Sequence, residues 1–395
     1  MTHRDSDLLL HGVNLERHFT TLLQRRPLVL AAEAAGPVAC HLVGGALRDA
    51  ALGLEFRDLD LVIEHDGMTF ASQLASRLPA RLVKLGGDRF AAYRLVADDL
   101  TVDIWDRQGV ALEADLARRD LTIHSFALEI PDTTVVDPFS GLIDLAGKNL
   151  RATSETSFSS DPLRVLRLAR FAGQLPGFTA TERTLELATD SAADLDRVPI
   201  ERIRGELEQL LKLPGFLSAA EILLQLNLYP GLWLSQPGHG ASIPDREELQ
   251  SRLRHLELLA DHSRGRVERA TARQAVLFAC LPSSSGQTVA GTVERCQRDG
   301  LLTRASAKRL KILMCWDGLP RDTEGQRWFL HRTGSLWPTV ACFLAARDNR
   351  PSTLSEYQEV MARLDAICLE SGEEVFEPKP LVTGAELVSL LGLQE

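Results

Sequence analysis

The spacing of apolar and polar residues changes along this chain of 395 residues and divides it into regions. Before about residue 35, the run LERHFTTLLQRRPLVL has the apolar spacing of one amphipathic helix. From about residue 36 to 150, short alternating runs (DLDLVIE, LTVDIW, IHSFALEI) are interspersed with helical runs such as GMTFASQLASRLPA. This pattern predicts an α/β or α+β domain with a small sheet, followed by a turn-rich connection in DPFSGLIDLAGKNL.

The pattern becomes almost purely helical from Asp161 onward. Runs such as DPLRVLRLARFAGQL, IERIRGELEQLLK and FLSAAEILLQLNL have helical spacing and good start signals. Pro162 follows Asp161 and predicts a helix that starts at the proline, with the aspartate as its cap. The rest of the chain is therefore predicted to be all-helical, and the loop SQPGHGASIPD is a candidate boundary within it.

Two carboxylates stand out in the strand-like run DLDLVIE. Side chains alternate across a strand, so Asp58 and Asp60 share one face, about 7 Å apart, while the leucines and Ile63 share the other. A bound divalent cation would remove their mutual repulsion, and magnesium suits a carboxylate pair that faces nucleotide phosphates. The alternative is a solvated strand face with two surface aspartates, because such short motifs are common.

The residues before this strand favour the hypothesis that the two aspartates bind a metal ion near a phosphate group. Gly44 and Gly45 precede ALRDAALG, which predicts a tight turn into a helix that is closed by Gly53. Such a turn offers free backbone N–H groups to an anion. Arg48, expected in the first helical turn, would either hold a phosphate or form an ion pair with a nearby aspartate.

A third carboxylate, Asp103, lies on the polar face of the run LTVDIW. If this strand neighbours the first one, three carboxylates come together and are able to hold two metal ions. The alternative is an unrelated strand aspartate, because periodicity alone does not establish which strands are adjacent.

Composition and charge narrow the class of protein. Hydrophobic residues make up 45% and charged residues 25% of the chain, as in soluble globular proteins. No apolar run reaches the roughly 20 residues that span a bilayer, and no secretory leader pattern is present, so we expect a cytoplasmic protein. The six cysteines lack zinc spacing. The net charge of −10 argues mildly against nucleic acid, although a local basic face would still permit it.

The motifs together resemble a known family. The segment VGGALRDAALGLEFRDLDLVI resembles the signature of the tRNA nucleotidyltransferase and bacterial poly(A) polymerase family, the class II group of the polymerase-beta-like superfamily. The segments LARRDLTIHSFAL, DPFSGLIDL, DPLRVLRLARFAGQL and ERIRGELEQLL resemble further family elements in the same order. These matches cover about residues 40 to 212 and are jointly specific.

The resemblance implies an α+β fold, in which a small nucleotidyltransferase head with a mixed sheet precedes an all-helical neck, body and tail. We expect an N-terminal helix over 1–35, the catalytic head over 36–150, the base-recognising neck over 151–215, the body over 216–300 and the tRNA-binding tail over 301–395. It also implies Mg²⁺ as cofactor and the tRNA 3′ end with CTP or ATP as partners. It gives no oligomeric state.

The resemblance also implies roles for individual residues. Asp58 and Asp60 match the two aspartates that bind magnesium and position the nucleotide for attack by an RNA 3′-hydroxyl, and Asp103 matches a less uniform third position. The residues that match nucleotide contacts lie in the glycine turn, in the RRD motif and on the neck helix. They are Gly44, Gly45, Arg48, Arg119, Asp120, Asp161, Arg164, Arg167 and Arg170.

The three neck arginines recur every third residue and so spread over one side of a helix, leaving Leu163 and Leu166 for packing. Such a face suits phosphate or RNA, and the alternative is an ordinary solvated helix face.

This chain departs from the family pattern at three positions. His124 stands where the family usually has Asn, Ser160 where it usually has Glu, and Leu121 where it usually has Phe. Complete CCA-adding members usually carry a longer flexible loop where this chain has only DRQGVALEAD after Trp105. A short loop resembles members that divide the task, so the hypothesis is a CC-adding or otherwise partial enzyme.

Three alternatives to a tRNA enzyme are compatible with parts of the pattern. A poly(A) polymerase would share the motifs, a non-catalytic RNA-binding descendant would have lost the carboxylates, and an enzyme for a small molecule would not need about 180 helical residues. His255 and His262 lack the later His-Asp pair of a phosphohydrolase domain and are read as surface or packing residues. The end of the chain, PLVTGAELVSLLGLQE, resembles the start of a family tail segment and stops early.

Overall fold

The computed structural model describes residues 9–10, 13–85, 92–98, 100–228, 246–263, 265–279, 289–348 and 353–376. The chain divides into two compact units, Met1–Arg197 and Val198–Glu395. Within the described residues, no helix is both long enough and apolar enough to cross a membrane. The candidate boundary loop SQPGHGASIPD and the last 16 residues lie outside the described residues.

The first unit contains a mixed sheet of seven strands. The described residues of this unit form eleven strands: β1 (Leu9–Leu10), β2 (Val13–Asn14), β3 (Cys40–Val43), β4 (Asp58–Ile63), β5 (Arg81–Leu85), β6 (Ala92–Val96), β7 (Thr101–Asp106), β8 (Ala127–Ile130), β9 (Val135–Val136), β10 (Asn149–Leu150) and β11 (Thr179–Ala180). The large sheet has the order β5-β6-β7-β4-β3-β8-β9. Its β4–β7 pair is parallel and its other neighbouring pairs are antiparallel. The predicted α+β class is confirmed.

Helices cover this sheet and continue beyond it. In chain order they are α1 (Leu15–Leu23), α2 (Arg26–Ala35), α3 (Gly44–Ala51), α4 (Gly67–Arg77), α5 (Leu112–Ala117), α6 (Gly141–Gly147), α7 (Ser157–Ser160), α8 (Arg164–Gln174) and α9 (Glu182–Ser191), with 3₁₀ turns at Thr122–His124 and Ala192–Arg197. The predicted runs DLDLVIE, LTVDIW and GMTFASQLASRLPA correspond to β4, β7 and α4.

The prediction of one N-terminal helix over 1–35 is wrong. The chain forms α1 and α2, which are separated at Gln24 and Arg25. Pro27 lies at the start of α2. A proline inside a continuous helix would clash with the carbonyl four residues earlier and remove a hydrogen bond, so the first helix ends before it.

The connection DPFSGLIDLAGKNL was predicted to be turn-rich, but it contains α6. The side chain of Asp137 explains the helix start, because its carboxylate accepts the backbone N–H groups of Gly141 and Leu142 at 2.7 and 3.0 Å. Acidic acceptors at a helix start satisfy N–H groups that have no partner within the helix.

The prediction for the glycine-led helix is confirmed. Helix α3 begins at Gly44, and Gly53, with φ +70°, follows its end. The N–H of Gly53 donates to the carbonyl of Ala50, and the N–H of Leu54 donates to the carbonyl of Asp49. These two bonds form a Schellman motif, in which glycine tolerates the left-handed conformation.

Two predictions for the region after 150 need correction. Helix α8 begins at Arg164 rather than at Pro162, because a turn comes first, in which the N–H of Arg164 donates to the Asp161 carbonyl at 3.0 Å. The all-helical prediction is interrupted by β11, which pairs with β10 in parallel. A pairing of two residues is too short to leave a period-two pattern in the sequence.

Every regular element described in the second unit is helical. The α-helices are Ile200–Lys212, Phe216–Gln225, Arg246–His262, Arg269–Ala279, Val289–Arg298, Arg304–Met314, Thr323–Thr333, Trp337–Asp348 and Thr353–Ser371. Arg273 is 1% exposed and bonds to Glu257 and to the carbonyls of Leu211 and Leu213, so its buried charge has partners. The division into neck, body and tail stays a prediction.

Candidate active site

The two aspartates of β4 lie beside the third carboxylate. In the parallel pair of β4 and β7, Asp60 is opposite Asp103 and Asp58 is opposite Thr101. Neighbouring strands lie about 4.8 Å apart, so the predicted adjacency of the three carboxylates is confirmed. The other face of β4 packs into the core, and its members are Leu59, Leu61 and Ile63.

The glycine turn approaches the second aspartate. Strand β3 pairs with β4 so that Val43 is opposite Asp60, and α3 begins at the next residue, Gly44. Gly44 has φ +74°, and a Cβ on it would lie 2.6 Å from Asp60 Oδ2 and 3.3 Å from Arg119 Nη1. The backbone N–H of Gly45 donates to Asp60. This turn therefore needs glycine for both its backbone conformation and its space.

Asp60 carries a destabilised negative charge. Burial raises its pKa, Arg119 lowers it, and the charges of Asp103 and Asp58 raise it further, with a net raised value. A cation beside this carboxylate would relieve both the desolvation and the repulsion. The surroundings of Asp60 therefore favour the binding of a positively charged ligand.

The donor set suits a divalent cation, for which two carboxylates are candidate ligands. In the described parts of the chain, no three His, Cys, Asp or Glu side chains form a group that could enclose a metal. Asp103 instead accepts two hydrogen bonds from Arg94, both at 2.7 Å. Asp58 and Asp60 would suffice, because magnesium commonly takes one or two protein carboxylates and completes its shell with water and substrate phosphate.

A second polar group is buried behind the glycine helix. Arg48 is 3% exposed, and its guanidinium donates to Asp49 at 2.6 and 2.8 Å and to His124 Nε2 at 2.6 Å. The other ring nitrogen of His124 lies 2.9 Å from Asp120 Oδ1. Asp120 Oδ2 accepts from Arg167 Nε at 2.8 Å. We call these four side chains, Arg48, His124, Asp120 and Arg167, the arginine–histidine chain.

This finding changes the reading of Arg48. Its expected place in the first helical turn is wrong, because α3 starts at Gly44 and Arg48 lies in the last turn. The ion pair that was considered as the alternative role is present, with Asp49 as its acceptor. A contact of Arg48 with phosphate stays a prediction.

Burial and neighbouring charges set the charge states of His124 and Asp120 in the arginine–histidine chain. Burial lowers the pKa of His124 to about 4, with Arg48 and Arg167 lowering it and Asp120 opposing them, so the ring is neutral near pH 7. Burial would raise the pKa of Asp120, but His124 and Arg167 together hold it well below its usual value. Asp120 is therefore an anion whose partners replace its lost hydration.

Phe171 on α8 provides an apolar surface for these groups. Its ring centroid lies 4.5 Å from that of His124. The guanidinium carbons of Arg170, Arg167 and Arg48 lie 4.5, 5.4 and 5.7 Å from the Phe171 ring centroid. Cation–π attraction at such distances contributes about 0.5–2 kcal/mol per pair. Phe171 was not among the predicted site residues, although it follows Arg167 by one helical turn on α8.

Arg164, the first residue of α8, is bonded to α7 and to the end of α5. Arg164 donates to the carbonyls of Arg118 and Ser157 at 2.6 and 2.8 Å, and to Ser160 Oγ at 3.3 Å. The hydroxyl of Ser160, one of the departures from the family pattern, thus contacts the arginine predicted to read the base. Leu163 and Leu166 are buried as predicted. Arg170 donates to Gln174 at 3.2 Å.

The loop after Trp105 is short and held against β4. The N–H groups of Arg107 and Gly109 donate to the carbonyls of Ile63 and Glu64 at 2.9 and 3.0 Å. Helix α5 begins soon afterward, at Leu112. These backbone hydrogen bonds fix the path of the connection between β7 and α5, and this connection is short.

A basic pocket lies in the second unit. It is lined by Gln297, Arg304, Lys308, Lys311, Ile312, Cys315 and Arg332. The neighbouring Trp328 is 55% exposed, and the guanidinium carbon of Arg332 lies 5.7 Å from its ring centroid. Cations beside an exposed aromatic ring are typical of surfaces that bind nucleic acid, in contrast to the net acidic charge of the whole chain.

Two family models match the chain. The model described as "Poly A polymerase head domain" matches residues 40–151. The model described as "Probable RNA and SrmB- binding site of polymerase A" matches residues 177–235. The first match contains the carboxylates of the sheet and the glycine turn, and the second follows α8.

Curated relatives and solved structures extend this likeness. A CC-adding tRNA nucleotidyltransferase of Synechocystis sp. is 38% identical over 199 residues, which cover 50% of this chain and 47% of the relative. An A-adding tRNA nucleotidyltransferase of Deinococcus radiodurans is 30% identical over 391 residues, covering 90% of this chain and 88% of the relative. The Thermotoga maritima CCA-adding enzyme complexed with tRNA has a similar fold, with a TM-score of 0.72 at 20% identity over 95% of this chain and 91% of that one.

Proposed function

Because the chain belongs to the tRNA nucleotidyltransferase and poly(A) polymerase family, we propose that it adds C, A or both to tRNA 3′ ends. The nucleotides come from CTP or ATP, and no nucleic-acid template is read. The observation that carries this proposal is the placement of Asp58, Asp60 and Asp103 on two adjacent strands, with the Gly44 turn against Asp60. The chain spans about half the length of the Synechocystis relative, so its whole activity is proposed here.

The carboxylates would hold the metal ion. Enzymes of this family typically need a divalent metal, and we propose Mg²⁺ bound by Asp58 and Asp60. When bound, it would supply charge stabilisation and alignment for the attack of a 3′-hydroxyl on the α-phosphate, which breaks the bond to the β-phosphate and releases pyrophosphate. Arg119 contributes positive charge beside Asp60, and its guanidinium lies close to the Gly44 turn.

The nucleotide would extend from the carboxylates of β4 and β7 toward α8. Asp120 and Arg167 are bonded to each other and matched to residues that contact the nucleotide. Asp161 and Arg164 match the pair that reads the base, and the hydrogen bonds of Arg164 to Arg118 and Ser157 hold its guanidinium in place. The preorganised donors lower the ordering cost of binding.

A partial, CC-adding enzyme is the subtype that we propose. The loop held by Arg107 and Gly109 supports it, because complete CCA-adding members usually carry a longer flexible loop here. The second candidate is an A-adding enzyme, which the likeness to the Deinococcus radiodurans relative over 90% of this chain favours. A poly(A) polymerase has less support, since the relatives described above act on tRNA by name.

The products distinguish these subtypes directly. Purified protein is incubated with tRNA ending in its discriminator base or in CC, with CTP, ATP or both, and the 3′ ends are sequenced. We expect two cytidines on the first tRNA and no adenosine on the second. Addition of A to the CC end alone identifies an A-adding enzyme, and a complete CCA end contradicts any partial enzyme. Long A tails on an unrelated RNA would indicate a poly(A) polymerase.

The metal assignment needs its own control. Asp58→Ala should abolish incorporation while RNA binding persists, since the carboxylate holds the cation and not the RNA. Binding is measured by the mobility of labelled tRNA in gels. Unchanged incorporation by Asp58→Ala would show that Asp58 is not part of the site. A wild type that binds RNA and adds no nucleotide would instead indicate a non-catalytic RNA-binding relative.

The basic pocket supports tRNA as the macromolecular partner. Charge reversal at Arg304 and Lys308 should raise the KM for tRNA severalfold, because each lost phosphate contact weakens binding, and leave the KM for CTP unchanged. A matched reversal at the exposed Arg183, in the first unit, serves as the control. An unchanged KM for tRNA would place the tRNA contacts elsewhere. The cytoplasmic location stays a prediction.

A further inference from the structure

His124 is buried between two predicted nucleotide-binding groups that come from distant parts of the sequence. It is 5% exposed, and its partner Arg48 lies 76 residues earlier in the chain. Its other partner, Asp120, lies four residues before it and also binds Arg167 from α8. The ring is therefore the central member of the arginine–histidine chain.

The chemistry of the partners determines the state of the ring. A guanidinium group donates and does not accept, so Nε2 must present its lone pair to Arg48. A carboxylate accepts, so Nδ1 carries the proton and donates to Asp120. Only a neutral ring with its proton on Nδ1 satisfies both partners, whereas a cationic ring would direct an N–H at Arg48.

We propose that His124 is a positioning residue, which fixes Arg48 and the Asp120–Arg167 pair relative to each other for binding of the nucleoside triphosphate. This inference rests on the proposed function. The ring connects α3, which carries the glycine turn, to α8, which carries the predicted base-reading arginine. It acts through Arg48 and Asp120 and makes no assigned contact with the substrate itself.

The hydrogen bonds and the ring packing are separable. The family usually has Asn at this position, and an Asn amide also offers one donor and one acceptor. Phe keeps an aromatic ring for the contact with Phe171 at 4.5 Å but offers neither hydrogen bond. His124→Asn therefore removes the ring contact with Phe171, and His124→Phe removes the two hydrogen bonds.

Steady-state kinetics with these two variants test the proposal. We expect His124→Phe to raise the KM for the accepted nucleotide roughly tenfold, the factor that corresponds to about 1.4 kcal/mol. His124→Asn should stay within about threefold of the wild type, and both variants should keep the wild-type KM for tRNA. Equal losses in Asn and Phe, or no change in Phe, would overturn the proposal and leave His124 as a packing residue.

A matched control separates position from burial. His41 is 6% exposed and lies on β3 of the same unit, outside the arginine–histidine chain. His41→Phe should leave the KM for nucleotide unchanged, even if thermal unfolding shifts. An equal increase in KM with His41→Phe would mean that any buried disturbance of this unit weakens nucleotide binding.

A spectroscopic measurement tests the tautomer in the wild-type protein, and a variant is needed only to assign the signal. Nitrogen-15 NMR of histidine-labelled wild-type protein reports which ring nitrogen carries the proton. We expect a signal from a neutral Nδ1–H ring at pH 7 that disappears in His124→Asn, whereas the signals of the other histidines persist. An Nε2–H or cationic signal for His124 would contradict the assignment. This result is independent of activity, so it stands or falls separately from the proposed nucleotide addition.

Discussion

The carboxylate face of β4 and β7, with Asp58, Asp60 and Asp103, differs from the arginine–histidine chain in how its negative charges are compensated. Asp60 lies near two further carboxylates, and burial raises its pKa. Asp120 is at least as buried, yet its pKa falls well below the usual value, because His124 and Arg167 donate to it. Asp60 keeps a raised pKa although Arg119 lies beside it, so the first region favours a further cation, whereas Asp120 is fully compensated by partners within the protein.

This difference separates two kinds of preorganisation. A group that awaits a metal ion costs folding free energy until the ion arrives, which is a common property of functional sites. A group with fixed internal partners contributes to the stability of the free protein and presents a rigid surface to the ligand. Substitutions should therefore affect activity and stability in different directions in the two regions.

The largest expected effect comes from Asp60→Asn. We expect incorporation to fall about a thousandfold or more, because metal-assisted charge stabilisation contributes several kcal/mol. Stability should rise at the same time, because a buried charge with a raised pKa is removed. Single-turnover incorporation and urea unfolding measure the two effects. The exposed Asp190→Asn is the control, and a variant that keeps more than a tenth of the rate would contradict the role of Asp60.

Gly44→Ala should have a smaller effect on the same region. The new Cβ would lie 2.6 Å from Asp60 Oδ2, at a backbone φ of +74°. We expect a 10- to 100-fold loss of rate and about 1–2 kcal/mol lower stability, the typical cost of the left-handed conformation for a residue with a side chain.

A second glycine provides the matched control for this change. Gly205 lies within the helix Ile200–Lys212, and a Cβ there would have nothing within 4 Å. Gly205→Ala should stabilise the protein by about 0.5–1 kcal/mol without changing the rate. Equal behaviour of the two alanine variants would show that the turn at Gly44 is not constrained by Asp60.

The remaining prediction concerns the pH dependence of stability and involves no large change in activity. The pKa of His124 falls from 6.5 to about 4 on folding, so the unfolded chain binds more protons between these values. Stability should therefore decrease as the pH falls through this window, by on the order of 1–3 kcal/mol from this group.

His124→Asn should remove that share of the pH dependence. Urea unfolding at pH 7 and pH 5 measures it in both proteins. His41, whose pKa is also lowered to about 4, first by burial and then by Arg107, is present in both and cancels in the comparison. An identical pH dependence in the two proteins would mean that His124 is not held neutral by its surroundings.

Much of the fold followed from local patterns. The alternation in DLDLVIE and LTVDIW correctly separated the buried leucines from the aspartates, and the glycines at 44 and 53 marked the start and end of α3. Short or ambiguous elements were missed. Helix α6 begins because the carboxylate of Asp137 accepts two N–H groups, and such a contact leaves no periodic signal.

The site was predicted less completely than the fold. The sequence identified the residue types and, through the family resemblance, their expected roles, and it marked His124 and Ser160 as unusual. It did not reveal that Arg94 binds Asp103, that Phe171 lies beneath three arginines, or that Arg48 is bonded to both Asp49 and His124. These partners lie on different elements, and no spacing along one helix or strand indicates them.

The sequence by itself determined which faces of each strand and helix carry charge, because the backbone repeat of an element sets the direction of its side chains. Only the tertiary structure decided that Asp60 is opposite Asp103 and that His124 lies between Arg48 and Asp120. Sheet register and long-range hydrogen bonds depend on how separate elements pack together. They fix the charge state of a carboxylate or an imidazole, since that state depends on neighbours that are distant in the sequence.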